Sequence, residues 1–65
     1  MKVEKVLSRI EYCIEEAKER LSYYEGEYSK APYGNYAIDL TMTIKEIKGE
    51  IKALKEMQDY IEMIK

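Results

Sequence analysis

Apolar residues recur at alternating spacings of four and three along almost the whole chain, and one Pro–Gly cluster interrupts them. Before the break the series is Val3, Leu7, Ile10, Ile14, Ala17, Leu21, Tyr24 and Tyr28. After it come Ala37, Leu40, Ile44, Ile47, Ile51, Leu54 and Ile61, with Gln58 in the gap. A period of 3.5 residues is the seam of a coiled coil, in which one stripe of each helix meets a partner. The break is the segment SKAPYGN, where Pro32 and Gly34 mark a turn. The pattern predicts an all-α fold with helix 1 over about residues 2–27, a turn over 28–35 and helix 2 over 36–64. The two helices form an antiparallel, coiled-coil-like hairpin, read as a single domain over 1–65.

Facing core positions of an antiparallel pair have residue numbers that add to a constant. Leu7 with Leu54, Ile10 with Ile51, Ile14 with Ile47, Ala17 with Ile44, Leu21 with Leu40 and Tyr24 with Ala37 all give 61. This expected register centres the turn between Lys30 and Ala31 and leaves Val3 with Gln58 as a polar layer at the open end. One shoulder of the seam carries Val6, Cys13, Met57 and Ile64, with Val6 expected opposite Met57. The other is charged, with Glu4 and Glu11 facing Lys55 and Lys48. A dry shoulder on so small a hairpin predicts a homo-oligomer, most simply a dimeric four-helix bundle, with those four apolar residues at its interface. Gly49 sits on the outer face of helix 2, either as a tolerated glycine or as a point of close helix approach.

Composition excludes most chemistry. The chain has no His and one Cys, so Ser–His and Cys–His dyads and the usual zinc sites are absent, and no cofactor or metal is expected. Gly26, Gly34 and Gly49 are too scattered for a phosphate loop, and the carboxylates lie on outer helix faces. The expectation is a protein that is not an enzyme. A net charge of −2 gives no global pull on nucleic acid, and no apolar run is long enough to span a membrane. The N-terminal segment does not read as a signal peptide, and Cys13 has no partner within the chain. Both features point to a reducing cytoplasm.

All seven aromatic residues are Tyr, and five of them fall at Tyr23, Tyr24, Tyr28, Tyr33 and Tyr36, around the turn. Tyr suits positions packed on one side and wet on the other. With Arg20 and Lys30 these five are the candidate ligand- or partner-binding residues. They could close the turn, form a knob for another protein, or stack a nucleotide-like molecule whose phosphate meets Arg20 or Lys30. Lys45, Lys48, Lys52 and Lys55 form a basic stripe on helix 2. It reads as a solvated face paired with the Glu-rich helix 1, or as a surface that tracks RNA or DNA phosphates. The leading expectation is a small regulatory protein that binds another protein as an oligomer. In size and style it matches phage- or mobile-element-type inhibitors of host proteins, an analogy rather than a motif. The alternatives are an oligomer that sequesters a nucleotide-like molecule between subunits, and nucleic-acid binding through the Lys stripe.

Overall fold

A computed structural model describes residues 2–64. It contains two helices, α1 (Lys2–Lys30) and α2 (Gly34–Ile64), packed against each other as a hairpin 49 Å long and 15 by 11 Å across. The all-α hairpin expected from the seam is therefore present, and the expected turn is corrected from eight residues to three. Helix α1 continues past Gly26 because the Ala31 N–H still reaches the Glu27 carbonyl, at 3.3 Å. Pro32 then stops it, since proline has no N–H and disfavours helical backbone in the residue before it. The chain reverses through Gly34, at φ 85°, a left-handed conformation that glycine adopts without a Cβ clash. Glu4 in the first turn of α1 and Lys30 in its last turn complement the helix dipole.

The buried residues are those of the repeat: Ile10, Ile14 and Ala17 on α1, and Ala37, Leu40, Ile47 and Ile51 on α2. Leu21, Tyr24, Leu54 and Ile61 are partly buried against the cluster formed by Ile10, Ile14, Ala17, Ile47 and Ile51. Ala17 has no exposed surface at all. A small residue at the tightest point of the seam lets the two backbones approach.

Along most of the rod the cross-helix contacts depart from the expected register by about a heptad. Ile61 packs on the core cluster, whose nearest member on its own helix, Ile51, is about 15 Å away along the axis. Its contact is therefore with Ile10, across the seam. With facing positions adding to 61, those two would be offset by about 15 Å as well. With facing positions adding to 68, the offset falls to about 4.5 Å. The cross-helix ion pairs depart the same way, while beside the turn the Tyr36–Glu27 bond, at 3.3 Å, fits the expected register. Arg20 meets Glu50 at 2.9 Å and Glu25 meets Lys48 at 3.9 Å. In the expected register Glu25 and Lys48 would lie about 18 Å apart along the axis, beyond the reach of both extended side chains. In the shifted one that separation is about 7.5 Å, and side chains of antiparallel helices lean toward each other across it.

The shift keeps every seam residue in the seam but changes its neighbour. Stepped out from the Arg20–Glu50 pair, the shift sets Leu7 against Ile61, Ile14 against Leu54, Ala17 against Ile51, Leu21 against Ile47, Tyr24 against Ile44 and Tyr28 against Leu40. Gln58 moves from Val3 to the level of Ile10. The physical gain is at the two ends. The expected register would leave Ile61 beyond the start of α1 and Tyr28 inside the turn. In the structure Ile61 packs on the core cluster, Tyr28 stays exposed at 38%, and both helices run further into the turn than expected.

Candidate functional site

The last three turns of α1 carry Arg20, Tyr23, Tyr24, Glu27 and Lys30 at spacings of three and four, so they share one flank of the rod. Tyr36, in the first turn of α2, meets them from across the hairpin. Glu27 joins the group: the Tyr36 hydroxyl donates to its Oε1 at 3.3 Å and Lys30 Nζ donates to its Oε2 at 3.4 Å. The Tyr23 and Tyr24 rings meet edge to face, centroids 5.2 Å apart at 78°. Partial desolvation raises the Tyr36 phenol above its ordinary range, and the Glu27 carboxylate, by its charge and its hydrogen bond, pushes it the same way. Arg20 donates from Nη2 to Glu50 Oε2, and that bond raises the guanidinium pKa further.

Tyr28 and Tyr33 lie on the opposite flank. They line an open groove of about 370 Å³ with Pro32, Ile38 and Thr41. A second open groove, of about 360 Å³, runs on from Tyr28 along Glu25, Thr41, Ile44 and Lys48. The hairpin thus divides the seven residues singled out from the sequence. It groups Arg20, Tyr23, Tyr24, Lys30 and Tyr36, and it sends Tyr28 and Tyr33 to the other side. Within one chain the tyrosines do not converge on a single concavity. Tyr24 is the most buried of the five, Tyr23, Tyr28 and Tyr36 are exposed, and Tyr33 on the loop is 84% exposed.

The residues missed by sequence reasoning are the carboxylates. Glu27 gathers Tyr36 and Lys30, and Glu50 occupies Arg20. The Glu27–Lys30 pair was visible as an i,i+3 spacing. The Glu27–Tyr36 and Arg20–Glu50 pairs depend on the register, which the repeat leaves open. The effect on chemistry is direct. The two cations that would meet a phosphate are each already answered by a carboxylate. Among the described residues, no three or more His, Cys, Asp or Glu side chains are grouped to hold a metal ion.

The dry shoulder sits on the same flank as Arg20 and Tyr36, nearer the open end. Val6, Met57 and Ile64 are exposed, at 43%, 50% and 64%, and Cys13 is half-buried. Stepped by heptads from the Arg20–Glu50 pair, Val6 comes level with Ile64 and Cys13 with Met57, in place of the expected Val6–Met57 layer. On the charged shoulder Lys48 meets Glu25, two heptads along α1 from the expected Glu11. The Lys stripe lies on this charged side, beside the Glu residues of α1, and its field is mixed in sign. No helix among the described residues is long and apolar enough to cross a membrane. Comparison with family models, curated proteins and solved structures found no match for the chain.

Proposed function

We propose that this chain is a non-enzymatic binding protein of the cytoplasm. It self-associates through the dry shoulder and presents its tyrosine-bearing turn end to another protein. The observation that carries the reading is the exposure of Tyr23, Tyr33 and Tyr36 around one end of a rigid rod. Tyrosines held on helix ends offer large contact area at low entropic cost, and their hydroxyls add direction. Regulation or inhibition of the bound protein is the simplest consequence for so small a chain, which has no catalytic group to contribute.

The nucleotide-sequestering reading is less well supported. A phosphate at Arg20 or Lys30 has to displace Glu50 or Glu27 from a charge-assisted bond. Nucleic-acid binding through Lys45, Lys48, Lys52 and Lys55 is weaker still, because Glu25 already engages the stripe.

The test is retention of partners by the immobilised chain from an extract of its source cells. Wild type and a Tyr12→Ala control are expected to hold the same protein, and a Tyr23→Ala/Tyr33→Ala/Tyr36→Ala variant is expected to lose it. Equal retention by the triple variant would remove the turn end as the binding surface. Retention of a small nucleotide and no protein would move the reading to sequestration.

A further inference from the structure

We propose that the dry flank is covered by a second copy of this chain, lying side by side with its two-fold axis along the rod, so that both turn ends point the same way. The inference rests on the self-association in the reading above and adds its geometry. The first argument is area. A compact monomer of 7.7 kDa is expected to expose about 4,300 Å². This hairpin exposes 5169 Å². The excess is close to the roughly 800 Å² per partner that a standard interface covers.

The second argument is the order of side chains along the flank. From the open end, the levels run Val6 with Ile64, Cys13 with Met57, then Arg20 with Glu50. A two-fold axis along the rod sets α1 of one copy against α2 of the other and leaves every level matched with itself. Val6 then meets Ile64 of the second copy and Cys13 meets its Met57, while the Arg20–Glu50 pair of each copy, closed within its own chain at 2.9 Å, comes beside its twin. Arg9 lies over the Tyr12 ring at 5.4 Å and Lys30 is paired with Glu27 at 3.4 Å, so these cations stay engaged within their own chains. The face is complementary to itself in polarity, its apolar half lying on an apolar half and its charged half on a charged half.

The other two-fold arrangement, with the rods head to tail, fails on the same sequence. Full overlap sets Val6 beside Glu27 and Cys13 beside Arg20 of the other copy, apolar against charged. Sliding the copies until the apolar levels overlap leaves the Arg20–Glu50 half of the flank uncovered. In the side-by-side arrangement the Tyr23, Lys30 and Tyr36 groups of the two copies come together at one end. The surface offered to a partner is then twice that of one hairpin.

The experiment uses the full chain. The mass in solution is measured by light scattering. The orientation is read as a spin-label distance in a Cys13→Ser/Asn35→Cys variant, labelled beside the turn. A dimer mass with a label distance well below the 49 Å rod length is expected. A dimer mass with a distance at or beyond the rod length overturns the geometry and leaves self-association standing. A trimer or larger assembly overturns the two-fold arrangement. A monomer mass at high concentration removes both the geometry and the self-association. Val6→Glu and Met57→Glu change exposed positions, so they are expected to halve the mass with the helical circular dichroism unchanged. An unchanged mass in both variants also counts against the interface.

Discussion

Gly34 and Gly49 are the same residue used in opposite ways. Gly34 holds φ 85°, where a side chain is strained, and the reversal of the chain depends on it. Gly34→Ala is expected to lower stability by about 1–2 kcal/mol in denaturant titration, the cost of left-handed backbone with a Cβ. Gly49 lies inside α2 on the outer face, and a Cβ there meets nothing within 4 Å. Of the two roles expected for it, close helix approach finds no neighbour within this chain. Gly49→Ala is expected to raise stability by up to about 1 kcal/mol, the helix propensity of Ala over Gly. In the core, Ile14→Ala or Ile47→Ala removes one of the few buried side chains and is expected to cost about 2–5 kcal/mol. In a domain this small that is most of the total stability, and a thermal melt followed by circular dichroism reads it.

The helices are ordinary and their pairing is not. A seven-residue repeat offers the same stripe again when it is slid by seven, so the seam is legible and the register is not. What selects the register is local: Pro32 and Gly34 at the turn, Ile61 at the open end, and the ion pairs on the two shoulders. Paired cysteines test this in a Cys13→Ser background. Ala17→Cys/Ile51→Cys is expected to close a disulfide on mild oxidation, and Ala17→Cys/Ile44→Cys is expected to stay reduced. The reverse result would restore the register in which Ala17 faces Ile44. The Arg20–Glu50 pair is tested by charge swap. Arg20→Glu is expected to lower the melting temperature and Arg20→Glu/Glu50→Arg to restore much of it, with the difference shrinking as salt is added. The candidate site was legible to a similar depth. The Tyr-rich turn stood out by composition. That Tyr28 and Tyr33 turn away from Tyr36 was not readable, because it depends on where the two helices stop.

The whole molecule is a rod with a core one residue wide, and such a core is stable only marginally on its own. If the second copy supplies the rest, stability is tied to concentration. The melting temperature is expected to fall on serial dilution of the wild type. It is expected to be lower and independent of concentration in Met57→Glu, which has no partner left to lose. Added salt is expected to act weakly on assembly, since the first levels of the flank, Val6 with Ile64 and Cys13 with Met57, are apolar.

The sequence alone determined the all-α hairpin, the identity of its seam and the side of the rod that stays dry. Each of these follows from residue type and spacing along one helix. The tertiary structure decided the register, the three-residue turn and the division of the tyrosines between two flanks. Helix–helix pairing is a choice between nearly equal alternatives one heptad apart, and the energy that separates them comes from a few residues at the ends. Those residues meet only once the chain has folded back on itself.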